Sequence, residues 1–268
     1  VAKHHRIIID EHKLIKEEVT MKKYFHSWIL MLTFLTRIPF PIHFEFNTDD
    51  YARGIFYFPL IGGIIGLLLW PIIFVQRFIP AGVFPFIIII LYLLIVGGIH
   101  VDGIGDLFDG IFSARDQKRM LEIMSDSHIG AFGVVGIILY FMGMYVGLYE
   151  VMHTELFPVI LISMPVIGRS VALIGAGLSR YAKPEGLGKA IVDRVGPLTS
   201  LMLSLVLVAA YFVFFPMISL SIIVTLVVML YILWRIHRTL DGITGDVLGA
   251  LVEISQIVFL IVVGMVII

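Results

Sequence analysis

Residues 83–110 read VFPFIIIILYLLIVGGIHVDGIGDLFDG, an almost unbroken apolar run that closes on three aspartates. Crossing roughly 30 Å of hydrocarbon takes about 20 apolar residues, so the part up to about residue 101 reads as a membrane span. Asp102, Asp106 and Asp109 then follow at i, i+4 and i+7, which on a helix places them within an arc of about 60°. Charges of one sign held this close repel, and carboxylates beside a membrane-spanning segment need a compensating partner. A divalent cation supplies it, and magnesium with a phosphorylated substrate suits an all-oxygen site. Gly103, Gly105 and Gly110 leave room for a bulky ligand against the backbone. The plainer reading is an acidic helix end, but the macrodipole favours that at an N-terminus, and this cluster follows a span. His100 falls on the opposite side of the helix, as a packed histidine or a substrate contact.

Working outward from this stretch, the whole chain has the same character. Of 268 residues, 59% are hydrophobic and 15% charged, far from the balance of a soluble domain. The expected fold is all-α, a polytopic membrane helical bundle of about seven spans. They are placed at approximately 54–76, 83–101, 129–149, 157–178, 197–215, 217–235 and 246–268. A shorter apolar segment at 24–35 runs into TRIPFP, where Pro39 and Pro41 stop a helix, so it is expected to be interfacial or re-entrant. Residues 1–20 are polar and read as an extension ahead of Met21, leaving 21–268 as one integral membrane catalytic domain. The chain has no cysteine, so any metal is held by oxygen or imidazole ligands.

Positive charge orients the bundle. Eight lysines and arginines precede the first span, and Arg115, Lys118, Arg119, Arg180, Lys183, Lys189, Arg194, Arg235 and Arg238 fall in or beside alternate gaps between spans. That puts 17 of the 19 basic residues on one side, which the positive-inside rule makes cytoplasmic. Every polar motif then opens to the same face of a cell (inner) membrane. The net charge of −1 carries no sign of nucleic acid, and a homo-oligomer is compatible with the sequence.

A second acidic group opens the last span in LDGITGDVLGALVEISQ, residues 240–256. Asp246 stands at the cytoplasmic edge and joins the aspartates as a candidate metal and substrate ligand. Glu253, about two turns deeper, must be paired or line a wet cavity. Arg169 lies in mid-span, as a substrate contact or as the partner of an intramembrane carboxylate. The glycine-rich loop SRYAKPEGLGKAIVDR offers Arg180 and Lys183 to an anionic substrate, and Arg115 follows the first aspartates closely enough to join them. Basic loops also serve merely as topology signals. DQKRMLEIMSDSHIG reads as a short amphipathic helix with Glu122 and Asp126 one turn apart.

HVDGIGDLFDG, LEIMSDSHIGAFG, RYAKPEGLG and DGITGDVLGALVEIS occur in the order seen in the cobalamin synthase family, which the chain resembles from Met21 onward. LTFLTRIPFP and FPLIGGIIG fit the same family. Its acidic pattern, H-x-D-G-x-x-D-x-x-D-G, maps without gaps onto His100, Asp102, Gly103, Asp106, Asp109 and Gly110. Gly105 stands where alanine is usual, and Lys183 where arginine is common, which loses a bidentate fork toward phosphate. The resemblance implies a magnesium-dependent membrane phosphotransferase. It would transfer adenosylcobinamide phosphate from adenosylcobinamide-GDP to α-ribazole or its 5′-phosphate, with GMP leaving. In-line attack of the ribazole 5′ hydroxyl, aspartates holding Mg2+ and one of them accepting the proton are implied with it.

Two other readings compete. A CDP-alcohol phosphatidyltransferase carries a D-x-x-D-G-x-x-A-R pattern, which Asp106, Asp109, Gly110, Ala114 and Arg115 approach. Here three residues rather than two separate Gly110 from Ala114, a slip of 100° on a helix, and no later aspartate pair follows. An ion-coupled transporter would carry broken helices at the bilayer midplane and repeated halves, whereas these acidic residues gather toward one membrane face.

Overall fold

The computed structural model describes residues 21–41 and 45–267, so the expectation for residues 1–20 lies outside the described residues. Among the described residues the chain is helical throughout, with a lone bridge between Tyr181 and Ile243 and no β-strand. Helix α1 covers residues 21–35 and ends just before TRIPFP. Helix α2 (Thr48–Gly54) is capped by the Asn47 side chain and runs through a short 3-10 turn into α3 (Phe58–Leu69). Pro71 carries no amide hydrogen, and from Trp70 to Phe78 the helix tightens into 3-10 form, giving one rod of 31 residues.

The next span departs from expectation. Helix α4 (Phe84–Val96) stops five residues short of the expected end, because Gly97 and Gly98 are both left-handed, with φ of 77° and 76°. Only glycine enters that region at no steric cost. The chain therefore bends by 99° into α5 (Ile99–Phe112), the helix that carries Asp102, Asp106 and Asp109. Arg37, just beyond α1, donates its backbone N–H to Ile95 O at 2.6 Å and lies against Gly97, so the N-terminal segment braces the bend.

Helix α6 (Gln117–Ile123) follows, capped by Asp116, which accepts from Arg119 N. It is shorter than the sequence suggests. Glu122 pairs with Arg119, while Asp126 lies past the helix end and accepts from both the backbone N–H and the ring of His128. Those bonds hold the Asp126 carboxyl below the usual range, and with the helix ending at Ile123 the expected one-turn helical spacing of Glu122 and Asp126 is not kept.

The remaining helices are α7 (Ala131–Val151), α8 (Phe157–Leu178), the short α9 (Leu187–Val192), α10 (Pro197–Phe214), α11 (Pro216–Leu240) and α12 (Gly245–Ile267). Among the described residues six helices are long and apolar enough to cross a membrane, or seven if the bent pair α4 and α5 is counted as one span. Helix α8 lies at the centre, packed by α3, α10 and α12, and α12 in turn packs α5, α7 and α11. Outward faces such as Leu201, Val206, Phe212, Val227 and Leu139 remain apolar and exposed, as a lipid-facing surface requires.

The two ends of the bundle are stitched separately. At one end Gln76 donates to Met152 O at 2.8 Å and Tyr145 to Gly82 O at 2.7 Å. At the other, Gln117 donates to Leu240 O at 2.8 Å, and the 180–182 and 241–243 loops are joined. The polar motifs all belong to this second end.

Candidate functional site

Helix α5 crosses the first turns of α7 and α12, and its two faces serve different neighbours. On one face, Gly103 lies against α12, where an added Cβ would come within 2.5 Å of Asp246 O. This contact sets Asp246 beside the aspartates of α5. Asp102 is exposed, Asp106 half-buried and Asp109 buried. Asp246, Asp102 and Asp109 all act on Asp106 as like charges, and Lys183 acts on it as an opposing one.

Asp109 has partners of its own. Its carboxylate accepts from Gly130 N at 2.7 Å and Gly133 N at 2.9 Å, the free amides that open α7. Gly130 has no side chain with which to cap its own helix, so the cap comes from α5, and the positive end of the α7 dipole favours the charge. Each Asp109 oxygen thus accepts one backbone N–H of α7.

Lys183 is delivered by two loops acting together. Ile243 N donates to Arg180 O at 2.9 Å and Ala182 N to Ile243 O at 2.8 Å, while Arg180 binds the Asp241 carboxylate and, through Nε at 3.0 Å, the Asp241 carbonyl. Arg180 is therefore placed as a clamp between the RYAKPEGLG and DGITGDVLG segments. Burial pushes the Tyr181 phenol above its ordinary range, opposed by a hydrogen bond from the Gly245 backbone and reinforced by the Asp246 charge. One residue on, Lys183 Nζ sits 2.8 Å from Ser125 Oγ and 4.0 Å from Asp246 Oδ2. Three motifs far apart in sequence meet at this ammonium group.

Ser125 was not singled out from the sequence, although it lies in the LEIMSDSHIG segment that carries the resemblance. A lone serine past a helix end has no spacing to mark it. Arg115 is exposed and, with Asp109, Lys118, Arg119 and Glu122, lines an open groove of about 790 Å³ beside the start of α7.

Two candidates face inward instead. Glu253 is fully buried and accepts from Tyr92 Oη at 2.7 Å, Tyr140 Oη at 2.7 Å and Gln256 Nε2 at 2.9 Å, with His100 Nδ1 at 3.5 Å. Of the two readings its sequence allowed, pairing is the one observed. Arg169 is also fully buried in α8, donates to Pro165 O at 3.3 Å and acts on Glu253 by its charge. The structure does not bring Arg169 to Asp102, Asp106 and Asp246.

Among the described residues no three His, Asp or Glu side chains form a ready metal shell. The donor chemistry nonetheless fits a hard cation. Asp102, Asp106 and Asp246 are carboxylates from two helices with like-charge crowding at Asp106, and a magnesium ion held by one or two carboxylates keeps several waters. Asp109 accepts one bond from α7 on each oxygen and keeps a further lone pair on each.

A family model described as Cobalamin-5-phosphate synthase matches residues 27–264. An adenosylcobinamide-GDP ribazoletransferase of Alkaliphilus oremlandii is 37% identical over 238 residues, covering 88% of this chain and 95% of its relative. Enzymes of the same name from Acetivibrio thermocellus and Desulfitobacterium hafniense are each 36% identical, covering 89% and 87% of this chain and 97% and 94% of theirs. No solved structure matches. With the acidic helix, the clamped basic loop and the start of the last span all lying within the matched residues, the chain belongs to the cobalamin-5-phosphate synthase family.

Proposed function

We propose that this chain is an adenosylcobinamide-GDP ribazoletransferase, joining adenosylcobinamide-GDP to α-ribazole or its 5′-phosphate with release of GMP. The observation that carries the reading is the meeting of Lys183 with Ser125 and Asp246 beside Asp106, which builds a charged pocket out of the segments shared with the family. A secondary ribose hydroxyl of the acceptor, free in both forms, attacks rather than the 5′ hydroxyl that the resemblance suggests, because the 5′ oxygen is already esterified in the 5′-phosphate. Its oxygen forms a bond to the cobinamide-bearing phosphorus, the bridging P–O bond of the diphosphate breaks, and GMP leaves with the bridging oxygen. A carboxylate of the cluster takes the hydroxyl proton. Lys183 offers charge to the phosphates, and Arg115, Lys118 and Arg119 in the adjoining groove offer more.

Asp102, Asp106 and Asp246 are the residues that would hold Mg2+, which when bound neutralises the diphosphate and stabilises the charge of the leaving group. Asp109 takes the different task of fixing α7 against α5. The distribution of basic residues supports a multi-pass protein of the cell (inner) membrane with this pocket on the cytoplasmic side. The test is purified protein in detergent with adenosylcobinamide-GDP, α-ribazole and magnesium, following GMP and a cobalamin product. Absence of GMP where another family member releases it under the same conditions overturns the proposal.

A further inference from the structure

Toward the start of α5 a second cavity of about 180 Å³ opens between α1, α2, α3, α5, α9 and α12, walled by Phe34, Tyr51, Phe58 and Leu187, with His100 and Asp246 also in its lining. We propose that this cavity is the subsite for the acceptor's base, taking the apolar bicyclic ring of ribazole with its ribose directed toward Asp246; this rests on the ribazoletransferase reading above.

Size excludes the larger substrate. Pockets for drug-sized ligands run to roughly 300–1,000 Å³, so this cavity holds one small ring system and not a corrinoid. Chemistry separates the purines of adenosylcobinamide-GDP from the benzimidazole of the acceptor. Guanine presents an edge of donors and acceptors, and each one left unpaired against an apolar wall is penalised. Apart from Tyr51, His100 and Asp246 the lining is aliphatic, aromatic or glycine, which suits a benzimidazole. His100 is 7% exposed and turns its Nδ1 to Glu253 at 3.5 Å, so this polar group is drawn toward the interior and leaves the wall largely apolar. Asp246 faces both this cavity and Asp106, so a base seated here has its sugar at the edge of the acidic cluster.

The test narrows the cavity from two half-exposed rim positions on different helices, Leu187→Trp and Ile99→Trp, in the full chain purified in detergent. Each is expected to raise the KM for α-ribazole about tenfold or more, leaving the KM for adenosylcobinamide-GDP within about twofold, as for a lost apolar pocket contact. Equilibrium binding of α-ribazole alone, followed by its fluorescence, should weaken by the same factor. An unchanged ribazole KM in both variants, or a rise in the KM for adenosylcobinamide-GDP instead, overturns the subsite while leaving the function standing. Wild-type protein that binds α-ribazole in a Leu187-dependent way but releases no GMP overturns the function and keeps the subsite.

Discussion

Asp106 and Asp109 are three residues apart on one helix face, yet their surroundings give them different tasks. Asp106 has three carboxylates and an ammonium group as charged neighbours and no helix to cap. Asp106→Asn should lower turnover at least about 100-fold, the scale for losing one electrostatic contact to a transition state, with the melting temperature in detergent unchanged. Retained GMP release would remove Asp106 from the proposed metal set. Asp109→Ala should do the reverse. Losing the acceptor for Gly130 N and Gly133 N is expected to destabilise the fold by about 1–2 kcal/mol. Thermal unfolding should show a drop for Asp109→Ala larger than for Asp102→Ala, whose side chain is exposed. Glu253 belongs to the same scale. With three donors bound to it inside the bundle, Glu253→Leu should cost about 2–4 kcal/mol, and Glu253→Gln less, since an amide oxygen still accepts from a tyrosine.

At the scale of elements, the left-handed pair Gly97–Gly98 aims the acidic helix. An added Cβ at Gly98 would meet nothing within 4 Å, so substitution there tests backbone strain alone. Gly98→Ala should cost about 1–2 kcal/mol and Gly98→Asn less, because asparagine tolerates the left-handed region better. Turnover should fall with Gly98→Ala as α5 swings from α12, and an unaltered kcat would show that the bend does not set the site. A hydropathy reading passes straight through this feature. Glycines are common in membrane helices, and nothing in VGGIH distinguishes two left-handed residues from two helical ones until α5 has a helix to cross. The three-aspartate face, by contrast, follows from the 3.6-residue period, and α5 keeps it.

For the whole molecule, the stitched ends define sides. The bonds of Gln76 and Tyr145 gather one set of loops, while those of Gln117 and Arg180 gather the other. Because the chain lacks cysteine, single replacements report on this directly. Lys118→Cys and Arg238→Cys should react with an impermeant maleimide in inside-out vesicles, and His153→Cys in right-side-out ones. Labelling of all three from one side would overturn the topology.

The all-helical class, the approximate spans and the sidedness of the basic loops are local matters, decided by runs of apolar residues and by which gaps carry lysine and arginine, so one chain read in order contains them. What depended on tertiary structure was which charged groups meet. Lys183 reaches Asp246 only because the 180–182 and 241–243 loops pair, Asp109 turns to α7 across 21 residues of chain, and Arg169 is drawn into the interior with Glu253 rather than out to Asp106 and Asp246. Charges act through space over a few ångströms, and sequence spacing sets that distance within one helix but not between two.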